Sequence, residues 1–189
     1  NYLLYLARLL DEPTRSDLAV FINESWSRMH KNFAAAPALT EDSVLRAHWA
    51  ITQKTDQFNG ARSIKAAYPR SAYVAEQTRL GGATDAAVDD PLARLYDHIT
   101  DYVTTLEQCT LFARELHDRD SRFTGFPPAS RAHALAVNER LRHTSYGMVR
   151  FFPVLFAARM AHPHDGDLYT DILELSEIYV VRVFLLTRW

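Results

Sequence analysis

Apolar residues recur at intervals of three and four along nearly the whole chain, and this spacing predicts helices. The clearest stripe runs from Leu92 to Leu116 and predicts a helix of about seven turns, roughly 40 Å long. Shorter stripes predict further helices over 1–11, 15–33, 41–54, 62–68, 130–143, 146–161 and 167–188. We therefore expect an all-α fold, an irregular helical bundle of about seven to eight helices around a long central helix.

Capping residues, proline and glycine predict where these helices begin and break. Thr40 is a side-chain cap for the helix over 41–54, and Pro91 belongs to the first turn of the long helix. Pro153 lies inside an apolar segment, so it either kinks that helix or marks its first turn near Phe152. The range 69–90 has the weakest pattern and is expected to be a flexible loop. Residues 1–189 are otherwise expected to form a single helical domain.

Composition narrows the class of protein without naming a function. The chain is 48% apolar and 23% charged, which is typical of globular proteins. Six glycines are under half of the usual roughly 7%, so hairpins are few and an all-β fold is disfavoured. The net charge of −2 provides no overall basic field for nucleic acid. The single Cys109 excludes a disulfide framework and favours a reducing, cytoplasmic compartment. No uncharged apolar run approaches 18 residues, so no membrane span is expected.

Two groups of side chains resemble metal sites but have simpler explanations. One is the segment 162–167, which contains His162, His164, Asp165 and Asp167, all types that bind zinc or manganese. Pro163 and Gly166 favour instead a turn in which Asp167 caps the next helix. The other is His117-Asp118, which could be the centre of a helical metal phosphohydrolase with His98 and Asp171. Because His117 ends a long helix, an imidazolium there also complements the helix dipole. We expect no metal site in either.

Arg159 and His164 offer a metal-independent alternative. Their spacing fits the loose arginine-to-histidine spacing of helical ribonucleases, in which histidine acts as general base and arginine stabilises phosphate charge. With eighteen arginines and eight histidines, the same spacing is also expected by chance. A small helical ribonuclease that uses this pair therefore stays an alternative function.

Positive charge is concentrated locally in one part of the sequence. The residues are Arg131, Arg140, Arg142, His143 and Arg150, with Tyr146, Phe151 and Phe152 close by. Arginines interleaved with aromatics can hold a phosphate backbone, and we take Arg140, Arg142, His143 and Arg150 as candidates for a DNA-backbone contact. The alternative is a solvated helix end beside the core.

Arg182 interrupts a segment, 178–186, that is otherwise apolar on every face. A buried guanidinium requires a partner, and Glu174 and Glu177 are not at the three-or-four spacing that would pair them with Arg182 on one helix. We expect a structural ion pair or a contact with another domain here.

Five short motifs in order resemble the helical middle region of the GmrSD-type modification-dependent restriction endonucleases. They are Asn23–Trp26, Leu45–Trp49, Ser63–Tyr68, Phe151–Leu155 and Glu177–Arg182. In that family a ParB-like domain binds and hydrolyses nucleotide, and a His-Asn-His nuclease domain cuts modified DNA, often from phage. The Asp-Gly-Gln-Gln-Arg signature of the nucleotide domain and the nuclease pattern are absent from this sequence, so the resemblance carries over no catalytic residue.

The resemblance implies that this chain is a fragment, a non-catalytic helical body that couples the two catalytic domains. Its expected partners are then the flanking domains of the same polypeptide, with a DNA-backbone contact in addition. Nucleotide and divalent metal are expected only in those other domains, and no cofactor in this segment. An unrelated helical protein-interaction domain is the remaining alternative.

Overall fold

The computed structural model describes residues 2–74, 91–118, 123, 125–143 and 148–185. Within these ranges the chain is all α, without strands, as the sequence predicts. The eight α-helices are α1 (Tyr2–Leu6), α2 (Glu12–Ala35), α3 (Glu41–Gln53), α4 (Ala61–Ala67), α5 (Pro91–His117), α6 (Pro128–His143), α7 (Met148–Ala161) and α8 (Gly166–Val180). A 3₁₀ turn over Ala7–Leu9 follows α1, residues 70–74 are also helical, and a π-helical turn over Val181–Leu185 follows α8.

Local signals in the sequence account for several helix ends. The Thr40 hydroxyl accepts a hydrogen bond from the Ser43 amide at 3.3 Å, which confirms the predicted cap of α3. The 27-residue helix α5 begins at Pro91 as predicted. Pro153 lies inside α7, which already begins at Met148, so of the two alternatives a first turn near Phe152 is excluded. Of the predicted loop over 69–90, residues 70–74 are helical and 75–90 lie outside the described residues.

The chain divides into two compact units, with boundaries within α2, within α5 and between α3 and α4. Unit 1 comprises Asn1–Arg28 and Gln57–Glu107, and unit 2 comprises Met29–Asp56 and Gln108–Trp189. The single domain expected from the sequence stays a prediction.

Unit 1 forms around the first half of α5. Its inward face carries Leu95 and Ile99, both almost fully buried, with Leu18 of α2 and Leu6 of α1 buried in the same unit. Because these α5 residues recur at helical spacing, one face of the helix is removed from water. The Arg28 guanidinium binds the Glu107 carboxylate through Nε at 2.5 Å and Nη2 at 3.0 Å. This bidentate pair ties α2 to α5 within unit 1.

Unit 2 is built from two helix contacts, α6 against α8 and α3 against α7. The side chains of Phe152, Leu155 and Phe156 on α7 are fully buried, whereas Val149 and Val154 of the same helix are exposed by 45% and 54%. The apolar sequence of α7 predicts burial all round, and the structure buries one side of it. An apolar surface therefore remains open on α7.

Side chains of α6 cap the C-terminus of α5 with hydrogen bonds. A helix end leaves carbonyl groups without helical partners. The Leu116 carbonyl accepts hydrogen bonds from Asn138 Nδ2 at 3.1 Å and from Arg142 Nε at 2.7 Å, and Arg142 Nη2 also donates to the Asp118 carbonyl. These bonds hold the C-terminal end of α5, through Asp118, against α6.

Two groups in unit 2 are kept neutral by burial. His48 of α3 is fully buried, and burial lowers the pKa of its imidazole to about 4. Cys109 of α5 is likewise fully buried, and burial raises the pKa of its thiol to about 12.

None of the helices in the described ranges combines the length and the apolar character needed to cross a membrane.

The neutral His48 predicts that the protein loses stability in mild acid. The unfolded chain takes up a proton near pH 6.5, while the folded chain resists it down to about pH 4. The stabilisation is therefore full above pH 6.5 and is lost as the pH falls from 6.5 to about 4, by about 3 kcal/mol. Urea unfolding at several pH values measures this loss, which we expect to be smaller in His48→Leu.

The matched control is His164→Gln, since His164 is exposed. This variant should keep the acid dependence of the wild-type free energy of unfolding. Equal acid dependence in wild type and His48→Leu would contradict the assignment to His48. His117 contributes in the same direction in both proteins, because burial, followed by the charge of Arg142, lowers the pKa of its ring.

Candidate functional site

The turn between α7 and α8 is a structural connection. Asp165 accepts a hydrogen bond from the Leu168 amide at 3.0 Å and so caps α8. Asp167, the residue predicted to cap this helix, instead accepts a hydrogen bond from the Ser130 hydroxyl at 2.6 Å. His162 and His164 are exposed. Both carboxylates are thus engaged with protein groups.

Arg159, in the last turn of α7, is held inside unit 2. Its side chain is 7% exposed, and its guanidinium carbon lies 4.0 Å from the centroid of the Phe126 ring, a cation–π distance. Nη1 donates a hydrogen bond to the Pro163 carbonyl, and Nε lies 3.7 Å from Glu115 Oε2. The guanidinium therefore joins α7, α5 and the turn that precedes α8.

Burial controls the electrostatics around this guanidinium. It raises the pKa of the Glu115 carboxyl, although Arg159 and Arg114 oppose the shift. It also raises the pKa of the Tyr169 phenol, whose ring stacks obliquely on Phe126 with centroids 5.3 Å apart. At 3.7 Å the ion pair does not compensate the desolvation of the carboxylate.

The geometry separates the roles of the two residues proposed for a ribonuclease. Arg159 is engaged with Phe126, Pro163 and the Glu115 carboxylate, whereas His164 is exposed in the turn. A phosphate would have to displace buried contacts to reach the Arg159 guanidinium. The structure therefore favours a role in packing for Arg159.

His117 and His98 are each in contact with aromatic rings. The His117 ring packs edge-on against Phe152 with centroids 5.7 Å apart. Nδ1 of His98, in unit 1, lies 3.0 Å from the Tyr73 hydroxyl. In the described part of the chain, no group of three or more histidine, cysteine, aspartate or glutamate side chains is arranged to hold a metal ion.

The basic segment contains arginines that bind protein groups. Arg140 forms a bidentate ion pair with Glu177 of α8, with Nε at 2.6 Å and Nη2 at 2.8 Å from its oxygens, and the pair lowers the pKa of the Glu177 carboxyl. Arg142 caps α5 as described above and lies 3.2 Å from a Glu139 oxygen. The Arg140 side chain is still 52% exposed, whereas that of Arg142 is 13% exposed.

The other members of the basic segment differ in their surroundings. Arg131 Nη2 donates to the Phe126 carbonyl at 2.9 Å. Arg150, in the first turn of α7, is exposed. The side chain of His143 lies outside the described residues. Arg140 and Arg150 are thus the candidates whose guanidinium groups a DNA backbone could reach.

One face of α8 and its π-helical extension is exposed and mostly apolar. At 100° per residue, this α8 face contains Leu168, Asp171, Ile172, Leu175, Ile178, Tyr179 and Arg182. Leu175 is 65% exposed and Tyr179 is 51% exposed. The Tyr179 ring packs edge-on against Phe151 of α7 with centroids 5.6 Å apart, which orients it without covering it. A contiguous exposed apolar surface of this kind marks an interaction site.

Arg182 is exposed on this face, and the contact with another domain expected at this position stays a prediction. A guanidinium buried in an apolar helix needs an internal partner. In this protein Arg159 of α7 is buried and has such partners. The signal was present in the sequence, since α7 is as apolar as α8 and contains two arginines, Arg150 near its start and Arg159 near its end. Exposure leaves Arg182 available for a contact with another domain or chain.

Unit 1 contains a separate open cleft of about 480 Å³. It is lined by Leu10, Asp11, Thr14, Asp17, Leu92, Ala93, Tyr96 and Asp97. The Asp11 pKa is lowered chiefly by a hydrogen bond involving Thr14, so this carboxylate is engaged locally. None of the candidate residues predicted from the sequence lines this cleft.

Comparisons with known proteins find no matching family, no similar curated protein and no similar solved structure. The functional interpretation therefore depends on the residues themselves, and among the residues that the structure describes the α8 face is an exposed apolar surface of unit 2 that a partner could contact.

The Arg159 contacts predict a large, non-additive effect on stability. Arg159→Met removes the guanidinium and leaves the Glu115 carboxyl buried without it, which should lower the free energy of unfolding by about 3 kcal/mol. The double variant Arg159→Met/Glu115→Gln should lose less than the sum of the two single losses. Urea unfolding of the four proteins measures the coupling. Arg150→Met on the same helix is the control and should change stability by less than about 0.5 kcal/mol. Additive losses would show that the two side chains do not interact.

Proposed function

We propose that this chain is a non-catalytic helical domain that couples a nucleotide-hydrolysing domain to a nuclease domain. The parent protein would be an anti-phage, modification-dependent DNA restriction enzyme of the cytoplasm. The observation that carries the coupling role is the exposed apolar α8 face, with Leu175 exposed by 65% and Ile178 by 45%. The nature of the flanking domains rests on the resemblance of the five sequence motifs to that endonuclease family. Nucleotide and divalent metal belong to the flanking domains in this proposal.

The connections of α8 support a coupling role. On the side facing α6, Glu177 binds Arg140 and Glu174 lies 2.8 Å from His133 Nε2. At its N-terminus, Asp165 caps the helix and Asp167 binds Ser130 of α6. Three polar contacts therefore connect α8 to α6. A displacement of the exposed side of α8 would be transmitted to α6 through them. A movement applied to the α8 face by a bound partner would reach the rest of unit 2 by this route.

A DNA-backbone contact is the second part of the proposal. Arg150 is exposed, and Arg140 remains half exposed while paired with Glu177. Arg142 is directed to the carbonyls that end α5, so its contribution to the contact would be indirect. The contact is with phosphates and carries no base specificity.

The coupling role predicts a selective loss in the polypeptide that contains the flanking domains. Leu175→Asp places a charge in the centre of the α8 face without touching the core. Nucleotide hydrolysis should continue, while nucleotide-dependent DNA cleavage should fall by about tenfold, which corresponds to about 1.4 kcal/mol of coupling. Steady-state hydrolysis and plasmid cleavage are measured in parallel.

The matched control is Val20→Asp on α2, because Val20 is 55% exposed and lies in unit 1. This variant should keep both activities. Unchanged cleavage in Leu175→Asp would contradict the coupling role. The non-catalytic character is tested on the 189-residue chain alone, where cleavage of RNA that is lost in His164→Ala would establish the ribonuclease alternative.

The DNA contact predicts salt-dependent binding of duplex DNA by the purified chain. Affinity should fall between roughly 50 and 200 mM salt, and Arg150→Gln or Arg140→Gln should each reduce the slope of log K against log salt by about 1. Fluorescence anisotropy with a labelled duplex measures both quantities. Arg46→Gln is the control, since Arg46 is also half exposed and paired with a carboxylate, that of Asp42 at 2.6 Å. If the chain does not bind DNA, or if all three substitutions change the binding equally, the proposed DNA-backbone contact is wrong.

A further inference from the structure

The charges on the α8 face are arranged symmetrically about its centre. Asp171 and Arg182 lie at opposite ends of the face, eleven residues or about 16 Å apart. Leu175 and Ile178 lie between them, at equal sequence distances from the midpoint between residues 176 and 177. A face with this order matches itself when one copy is reversed.

The other charged residues of α8 do not disturb this pattern. Glu174 and Glu177 lie on the side of the helix that faces α6, where they are engaged with His133 and Arg140. Asp171 and Arg182 are both exposed, and no ion pair to either is found among the residues that the structure describes. The α8 face thus presents one acid and one base to a partner.

We propose that the α8 face binds a second copy of this chain as an antiparallel, two-fold symmetric helix pair. Leu175 of each copy packs against Ile178 of the other, and Asp171 of each copy pairs with Arg182 of the other. The same contact repeated about a two-fold axis is the commonest form of homodimer. The proposal deepens the proposed function, on which it rests for the assignment of the α8 face as a contact surface.

Charge order selects the antiparallel arrangement. In a parallel pair Asp171 would face Asp171 and Arg182 would face Arg182, and both contacts would be repulsive. In the antiparallel pair two attractive contacts flank a centre formed by four apolar side chains. Exposed ion pairs contribute little affinity themselves, but like charges at the same positions oppose the wrong arrangement. The spacing of 168, 171, 175, 178 and 182 is also the alternating three-and-four spacing of helix pairs that pack side by side.

The packing of Tyr179 against Phe151 orients a side chain at the edge of the α8 face. Tyr179 is held against Phe151 of α7 while half of its surface stays exposed. A side chain that is already oriented loses less conformational freedom on binding. Tyr179 would therefore border the apolar centre on the α7 side in each copy.

The test uses reversed charges on the 189-residue chain. Asp171→Arg alone and Arg182→Asp alone each replace two attractive contacts by two repulsive ones, so each should self-associate about tenfold more weakly than wild type. Mixing the two variants restores both attractive contacts, and the mixture should form a heterodimer with near wild-type affinity. Sedimentation equilibrium, with one variant carrying a fluorescent label, measures the three dissociation constants.

Two further proteins make the result decisive. Leu175→Asp should abolish the dimer, and Val20→Asp, a similar change at an exposed position of unit 1, should not affect it. Far-ultraviolet circular dichroism of each variant checks that the helices are retained. A wild-type chain that stays monomeric at its highest soluble concentration overturns the dimer. Failure of the mixed variants to associate, while the wild type dimerises, overturns the antiparallel α8 contact.

The failure of this proposal is distinguishable from failure of the proposed function. If the chain is monomeric and Leu175→Asp still blocks nucleotide-dependent cleavage in the longer polypeptide, the dimer is wrong and the coupling role stands. If the chain dimerises as described and Leu175→Asp leaves cleavage unchanged, the dimer stands and the coupling role is wrong.

Discussion

The buried guanidinium of Arg159 connects α5, α7 and the turn that precedes α8 within unit 2. A charge removed from water must be compensated by its surroundings, and here the surroundings are Phe126, Glu115 and the Pro163 carbonyl. The backbone at Gly125 also depends on it, because a Cβ atom there would lie 3.1 Å from Arg159 Nη2. The guanidinium therefore fixes the turn after α7. The same turn supplies the Asp165 cap, so the contacts of Arg159 lie directly beside the start of α8.

Several arginines in this protein connect helices or cap helix ends. The high arginine content is therefore explained in part by structural contacts. Arg28 ties α2 to α5 within unit 1, Arg142 caps α5, and Arg140 joins α6 to α8. Each guanidinium uses its planar array of donors for two or more contacts, a geometry that lysine lacks. A cluster of arginines in the sequence is thus a weak indicator of a nucleic-acid surface when carboxylates and helix ends lie within reach.

Periodicity and caps predict the helices because these signals are local. Thr40 and Pro91 begin α3 and α5 as expected, and the all-α class follows from spacing alone. The site residues are harder to predict, because their environments depend on contacts far apart in sequence. The pairing of Arg140 with Glu177 spans 37 residues, and the contact of Arg159 with Phe126 joins residues about as far apart in the sequence. The same rule that a guanidinium in an apolar helix must be paired points equally to Arg159 and Arg182, and only the packing of α7 against α3 and α8 distinguishes them.

The burial of Cys109 has a practical consequence. Its thiol is the only one in the sequence, it lies in the middle of α5, and burial raises its pKa to about 12. Since the thiolate is the reactive form, a thiol reagent can modify the folded chain only when α5 transiently opens. The rate of labelling therefore reports the opening equilibrium of the longest helix directly. The labelling rate of Cys109 in the wild-type protein therefore measures the opening of α5, and no engineered cysteine is needed for this measurement.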